Sequence, residues 1–459
     1  MEPINLKEIL EATEGNLISE NKNENNIFNN VSTDTRNIKE NDFFVPLKGE
    51  NFNGHNFIQT AFEKGASGTF IQKGEYQNEL NSEKYFIEVE NTLKAYQNIA
   101  TFFRKKFNPF IVGITGSSGK TSTKELCYAF LKQFFNCYKT PENLNNEIGV
   151  PKTILEMNKE HKIGIIEMGM RGKGQIEELA NIALPDIGII TCVGSAHIEL
   201  LGSRENIALA KWELADYLLK NNKKVIIPAH DEELSKIAKN KLNILTINLE
   251  KDDNALLYMI KNYFENNKQY FEFFDNTTKK IHKVLLSVSG KHQISNALLV
   301  LALAKELNIT YPDFIDLSFE KLFGRSEEIK IRNLNIINDC YNANLESMKA
   351  SIETFIDMPS KNKKVIVLGE MRELGDFSLS SHEELGEFCS KFDFDELIVI
   401  GENAEGIKNK FTKKVTFFKE NKQAGLYIKE KFNTEEIDIL IKASRGAKLE
   451  EVIETLKFD

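Results

Sequence analysis

The sequence predicts an α/β chain of three domains: a small N-terminal α/β domain over 1–108, a central parallel sheet over 109–315 and a C-terminal Rossmann-like domain over 316–459. Three observations predict it. The chain has 459 residues, enough for about three domains of ordinary size. Through the middle and last blocks, short apolar runs alternate with helix-length segments, as strands and helices do in a covered parallel sheet. Near residue 116 a glycine-rich turn joins an apolar run to a helical pattern.

Composition bounds the rest. Hydrophobic residues make up 41% and charged residues 28%, ordinary for a soluble globular protein. A net charge of −9 implies no general polyanion-binding surface, so any phosphate site must be local. The start, Met1-Glu2-Pro3-Ile4-Asn5-Leu6-Lys7, lacks the basic opening and apolar core of a signal peptide. The longest plain apolar run, Ala297 to Ala304, is too short to span a membrane. Five scattered cysteines with no C-x-x-C spacing read as buried thiols in a reducing cytoplasm. The expectation is a cytoplasmic monomer.

In the first block, Ser19 to Asn30 is rich in Asn, Glu and Lys and reads as an exposed loop. Val31-Ser32-Thr33-Asp34-Thr35-Arg36, Asp42-Phe43-Phe44 and Gly54-His55-Asn56-Phe57 read as a polar loop, a strand and a turn. Asn108-Pro109 is the expected linker.

The middle block opens on the chain's organising stretch. Pro109-Phe110-Ile111-Val112 reads as a buried strand, Gly113, Gly116 and Gly119 follow, and Lys120-Thr121 begins a helix-like segment. Glycines let the backbone turn tightly and aim its N–H groups inward, and the helix N-terminus adds positive potential. Gly116, Ser117, Ser118, Gly119, Lys120, Thr121 and Ser122 are therefore the expected phosphate cradle, which makes the central domain P-loop ATPase-like. Lys120 can reach terminal phosphates as a point charge, and the Thr121 hydroxyl can face a magnesium ion. The usual spacing G-x-x-x-x-G-K-[ST] places glycine at 114, where Ile114 stands; the loop from Gly116 is two residues shorter.

Strands are expected at Ile163 to Glu167, Ile187 to Cys192, Lys224 to Pro228 and Asn243 to Asn248. A hairpin is expected over Gln269 to Phe274 and Ile281 to Val288, and a helix over Ser295 to Leu307. Glu167 ends a strand, where open α/β sheets bind ligands. It is either a metal-holding carboxylate, a hard oxygen ligand suited to Mg²⁺, or a strand-terminal glutamate in water. His197 follows the next strand and is either structural or part of the site. Lys211 shares a helix face with Ile207, Leu214 and Leu218. It is either a lysine snorkelling off an apolar stripe or an active-site amine with a depressed pKa. In the last block, apolar runs at Ile336-Ile337, Val365 to Leu368, Glu396 to Ile400 and Ile437 to Ile441 support the Rossmann-like reading.

A resemblance joins these pieces. The short loop resembles that of the Mur ligases, ATP-dependent enzymes that build the peptide of bacterial cell-wall precursors. Glu167-Met168-Gly169-Met170-Arg171-Gly172, Pro185-Asp186-Ile187, Gly194-x-Ala196-His197-Ile198-Glu199 and Gly202-Ser203 through Ala210-Lys211 are similar, in order, to that family's central domain. Asp34-Thr35-Arg36 with Gly54-His55-x-Phe57 resembles its N-terminal UDP-binding domain. Thr140-Pro141 through Pro151 and Gly290-Lys291-His292-Gln293-Ile294-Ser295-Asn296 also match, with Gln293 where the family usually has Asn. Asp339-Cys340-Tyr341-Asn342-Ala343-Asn344-Leu345-Glu346-Ser347-Met348 resembles the signature of members that add D-alanyl-D-alanine to UDP-N-acetylmuramoyl-tripeptide, with Leu345 for Pro. Gly369-Glu370-Met371-Arg372-Glu373-Leu374-Gly375 and Lys442-Ala443-Ser444-Arg445-Gly446 continue the match, with Glu370 for Asp and Ala443 for Gly.

The resemblance implies ligation of those two substrates at the expense of ATP, with Mg²⁺, in peptidoglycan precursor synthesis. It implies that Glu167, His197 and a carbamylated Lys211, with Thr121, hold the metal, and that Lys120, Lys211 and His197 are catalytic. It places Asn296, Arg325 and Asp339 on the nucleotide. It places Thr35, Arg36, Asn145, Asn146, Arg171, Tyr341, Asn342 and Asn344 on the other substrates. A folylpolyglutamate-synthase-like ligase shares the central and C-terminal plan but lacks the Asp34-Thr35-Arg36 domain. A P-loop GTPase switch needs an Asn-Lys-x-Asp motif, which is absent.

Overall fold

The computed structural model describes residues 1–20, 23, 25–76, 79–319 and 323–457. They divide into two compact units. One is Met1–Ile114 with Leu131–Met170 and Gly174–Gly188; the other is Thr115–Phe130 with Arg171–Lys173 and Ile189–Asp459.

The first unit opens with a five-stranded sheet, in the order Asn16–Leu17, Tyr85–Val89, Gly68–Gln72, Phe43–Phe44, Val31–Ser32. Phe43 meets Phe28 and Phe70 edge to face, with centroids 5.0 and 4.7 Å apart, a favoured aromatic geometry. Phe28 corrects the expected loop. It lies in a strand, Ile27–Phe28, paired antiparallel with Ile4–Asn5, and is fully buried. The polar composition around it hid one core residue. Asn21, Lys22 and Glu24 of that stretch lie outside the described residues.

His55 is buried. Its Nε2 accepts from Gln72 N–H (3.0 Å), so Nδ1 carries the proton and meets Asn53 Oδ1 (2.8 Å). The Gly-His-x-Phe turn is thereby pinned to a strand. The helix Thr92–Phe107 ends at Asn108 in a left-handed cap (φ 47°). Buried Arg104 in that helix ion-pairs with Asp186 (2.8 Å).

In the first unit Ile163–Glu167 lies parallel to Cys137–Lys139 on one side and to the strand that opens at Phe110 on the other, with Ile114 level with Glu167. In the second unit a sheet has the order Lys224–Pro228, Ile244–Asn248, Leu257–Glu265, Lys268–Asp275, Lys280–Leu286, Phe314–Leu317. The expected hairpin is there, antiparallel between Lys268–Asp275 and Lys280–Leu286. Leu257–Glu265 adds a strand that sequence reading missed. A bulge between Met259 and Lys261 breaks the period-two alternation by which strands are recognised.

Four helices of the second unit matter below: α1 Lys120–Leu131, α2 Arg204–Lys220, α3 Lys291–Glu306 and α4 Leu345–Asp357. Helix α3 is buried continuously from Gln293 to Ala304, so it begins one turn earlier than its apolar run suggests. The last sheet has the order Glu327–Ile331, Leu334–Asp339, Ile437–Lys442, Lys363–Leu368, Glu396–Ile400, Val415–Phe418. Its strands are parallel except for the antiparallel first pair.

His382 holds the turn after Lys363–Leu368. Met371 N–H donates to its Nε2 (3.0 Å), so Nδ1 donates to the Ser378 carbonyl (2.8 Å). The ring is fully buried, and burial holds its pKa below the ordinary histidine range. Below that range the unfolded chain binds a proton that the folded chain refuses, so this contribution to stability is lost as pH falls. Melting curves of wild type and His382→Gln should therefore converge as pH is lowered through the ordinary histidine value. A gap that widens there would contradict a neutral ring.

Candidate active site

Strand Phe110–Thr115 runs into Gly116–Gly119, and α1 starts at Lys120. Both loop glycines have positive φ, 151° and 81°. A Cβ on Gly116 would lie 1.9 Å from Thr191 Oγ1, and one on Gly119 would lie 2.8 Å from Asn296 Oδ1. Only glycine lets the loop seat between the end of strand Ile187–Ile190 and α3. Thr191 Oγ1 donates to the Ser118 carbonyl. Ser117 N–H donates to Cys192 O (2.9 Å), and Ser117 Oγ accepts from Gly194 N–H (2.9 Å). Lys120 Nζ folds back onto the Gly116 carbonyl (2.7 Å). Thr121 is buried in the first turn of α1 and Ser122 follows it, half-buried.

Beside the loop is a cavity of about 230 Å³, with Ser118 and Gly119 on one wall and Asn296 on another. Asn296 is 4% exposed, and its Nδ2 donates to Gln293 Oε1 (3.1 Å). Gln293, the departure from the family pattern, thus orients Asn296. Asn262 and Phe264 of the bulged strand also line the cavity, as does Glu353 of α4. No motif pointed to these three.

Arg325 lies elsewhere in the second unit, its guanidinium 4.1 Å from the centre of the Tyr341 ring. Gly324 (φ 65°) accepts from Tyr341 N–H (3.0 Å), which sets up that stack. Asp339 is bonded within the fold. It takes Lys442 Nζ and Ser351 Oγ on Oδ2, both at 2.6 Å, and Ser326 N–H on Oδ1 (3.2 Å). Burial opposes its charge, but Lys442 holds the carboxyl below its ordinary value.

Glu167 and its neighbours belong to the first unit. Glu167 is 1% exposed; Thr140 Oγ1 takes its N–H (2.9 Å), and Asn145 Nδ2 donates to its Oε1 (2.9 Å). Asn145 also packs where a Cβ on Gly169 would fall, 2.7 Å away. Asn146 Oδ1 accepts from Gly149 N–H (2.9 Å), starting the helix Gly149–Glu156.

His197 has a left-handed backbone (φ 65°) and puts Nδ1 2.7 Å from Glu373 Oε2. His197, then Arg171, keeps the Glu373 carboxyl below its ordinary value. Lys211 is 2% exposed on α2. It does not snorkel. Burial, reinforced by the Lys120 ammonium, pushes its pKa well down.

Among the remaining expected residues, Thr35 and Arg36 lie in a single turn, Thr35–Asn37. Arg36 is largely exposed and pairs with Asp34 (2.7 Å), whose carboxyl is lowered to about 2 by that bond. Asn342 is exposed, its Oδ1 on Ala343 N–H (2.9 Å). Asn344 caps α4, its Oδ1 accepting Ser347 N–H (2.9 Å). Glu346, Glu373, Thr191 and Thr140 join the arrangement although sequence reading gave them no role. Their partners lie far off in the chain, so local pattern carried no signal.

The donor set of Thr121, Glu167, His197 and Lys211 fits a hard divalent cation: a hydroxyl, a buried carboxylate, an imidazole and a buried amine that can become an anion. Among the described residues, no three His, Cys, Asp or Glu side chains form a metal cluster by themselves.

Comparisons with known proteins agree along the chain. Residues 27–104 match the family described as "Mur ligase family, catalytic domain", 114–304 the "Mur ligase middle domain" and 324–445 the "Mur ligase, glutamate ligase domain". UDP-N-acetylmuramoyl-tripeptide--D-alanyl-D-alanine ligase of Bacillus subtilis is 35% identical, over 98% of both chains. The ligase of the same name from Synechocystis is 38% identical over 81% of this chain and 79% of its own. Among solved structures, MurF ligase from Thermotoga maritima in complex with ADP aligns at TM-score 0.83 and 30% identity, covering 93% of this chain and 97% of that one. MurF from Acinetobacter baumannii aligns at 0.90 and 25% identity over the whole of both. Likeness over nearly the full length, with all three segments matched in order, means that the chain belongs to the Mur ligase family.

Proposed function

We propose that this protein joins D-alanyl-D-alanine to the carboxylate of UDP-N-acetylmuramoyl-tripeptide at the expense of ATP, in cytoplasmic peptidoglycan precursor synthesis. The observation that carries this reading is full-length likeness to ligases bearing that name, with the phosphate loop and Asn296 on one cavity. Residues 1–108 serve the UDP-sugar, 109–315 the ATP and 316–459 the dipeptide. The enzyme works as a monomer. No helix among the described residues is long and apolar enough to cross a membrane.

The chemistry needs activation because a carboxylate would have to expel oxide. A carboxylate oxygen of the tripeptide attacks the γ-phosphorus of ATP, the bond to the ADP oxygen breaks, and an acyl phosphate results. The dipeptide amine then attacks the carbonyl carbon; phosphate leaves with the C–O electron pair, and the amine loses a proton. Lys120 and the N-terminus of α1 offset charge on the phosphoryl oxygens. Ser117, Ser118 and Gly119 cradle the phosphates, and Asn296 meets the base. Arg325, presented on Tyr341, faces the nucleotide, while Asp339 holds the strand end that carries Tyr341. Thr121, Glu167, His197 and Lys211 as its carbamate would hold Mg²⁺, which would supply charge neutralisation. Asn145 orients Glu167. Thr35, Arg36, Asn146 and Arg171 serve the UDP-tripeptide, and Tyr341, Asn342 and Asn344 the dipeptide.

A folylpolyglutamate synthase aligns at TM-score 0.51 and 12% identity, a likeness of fold alone. Mass spectrometry of the product formed from ATP, D-alanyl-D-alanine and each UDP-tripeptide tests the reading. A product lacking the added dipeptide mass overturns it. Arg36→Ala should raise KM for the UDP-tripeptide by about ten-fold, as losing a charged hydrogen bond does, and spare KM for the dipeptide. An effect confined to ATP would reassign the first block.

A further inference from the structure

The loop Gly194–His197 is held at both ends by carboxylates from the last sequence segment. At one end Glu346 Oε2 accepts from Ser195 N–H and from Ser195 Oγ, both at 2.9 Å. At the other, Glu373 meets His197. The same loop touches the phosphate cradle, because Gly194 N–H donates to Ser117 Oγ. Two hydrogen-bonded links therefore run from Glu346 through Ser195 and Gly194 to Ser117. All of these residues lie in the second unit.

The local chemistry favours this arrangement. Asn344 caps α4, which puts Glu346 in its first turn, where the helix dipole stabilises a carboxylate. Ser195 is 6% exposed, so its two donors need partners, and Glu346 satisfies both. A Cβ on Gly194 would lie 2.7 Å from Glu346 Oε2, so a side chain there would push the carboxylate aside. Two donors and a helix N-terminus stabilise this anion near the phosphate loop.

We propose that Glu346 is a positioning residue: by clamping Ser195 it sets the loop Gly194–His197, and through it Ser117, in the geometry that phosphoryl transfer needs. The proposal rests on the reading of Gly116–Lys120 as the ATP site. Glu346 touches no reacting atom in this account. Its loss leaves nucleotide contacts in place but lets the loop wander, so it acts on kcat more than on KM for ATP.

The test is steady-state kinetics with ATP binding by calorimetry and unfolding temperature, on the full chain. Glu346→Ala should lower kcat about ten-fold, the typical effect of losing a charge-assisted hydrogen bond, with ATP affinity within about two-fold. Glu346→Gln keeps an acceptor and should recover most of kcat. Ser195→Ala added to Glu346→Ala should cost little more, because the two act as one unit. Gly194→Ala should mimic Glu346→Ala by displacing the carboxylate. A lower unfolding temperature with unchanged kcat in Glu346→Ala would make the contact merely structural and overturn the proposal, as would fully additive losses. Lys120→Ala run alongside separates the two readings. If it is inactive while the Glu346 and Ser195 variants are normal, the clamp alone fails; if it is fully active, the ATP-site reading fails first.

Discussion

Lys120→Ala should reduce turnover about 10²–10³-fold, the usual cost of removing one preorganised charge-stabilising group, while the unfolding temperature stays close to wild type. The contacts seat Lys120 for this task. It opens α1 directly after two positive-φ glycines, and its ammonium lies over the loop on the Gly116 carbonyl. The Gly116 carbonyl that accepts from it is part of the loop itself. The loop keeps its shape through Thr191, Cys192 and Gly194, none of which depends on Lys120. Phosphoryl transfer spreads charge over the γ-oxygens, and a point charge at the end of the cradle offsets it only if the phosphate sits there. Turnover measured at saturating ATP checks the result. Wild-type turnover would remove this loop from the chemistry.

Lys211→Ala should be almost inactive, and acetate should partly restore it. Lys211 is buried on an apolar face of α2 with the Lys120 ammonium as its electrostatic neighbour. A second ammonium there is disfavoured both by burial and by like charge. The neutral amine is a nucleophile for CO₂: the C–N bond forms, a proton leaves, and the side chain becomes an anion. That change turns repulsion by Lys120 into attraction and would add two oxygen ligands to the proposed Mg²⁺ set. Acetate offered to the truncated enzyme supplies an anion of similar size. Rescue by a short alkylamine and not by acetate would establish an ammonium instead. Stripping CO₂ from the buffer should lower wild-type activity reversibly. Activity indifferent to CO₂ would also count against the carbamate.

Sequence legibility followed locality. The strand–glycine–helix order at Phe110 to Leu131 could be read directly because its physics is local: φ freedom, period and helix start sit within about twenty residues. Alternation announced the parallel strands of the last block, and runs separated by a polar turn announced the hairpin at 269–286. The strand Leu257–Glu265 escaped because its bulge destroys the period, and Phe28 escaped because a single core residue in an Asn-rich stretch makes no pattern.

What the sequence by itself determined is the α/β class, the phosphate loop and, through ordered motifs, the family. Tertiary structure alone decided which polar residues are bonded to distant parts of the chain. Asp339, expected on the nucleotide, has its carboxylate paired with Lys442, because two parallel strands end level with each other. Asn344, proposed for the dipeptide, also caps α4 with its side chain. Lys211 reads as a surface lysine or an active-site amine, until the fold buries it and burial with Lys120 pushes its pKa down. Glu346 and Ser195, 151 positions apart, become partners only in the folded chain. Hydrogen bonding and desolvation depend on distances in space, which sequence spacing does not encode once the chain has turned back on itself.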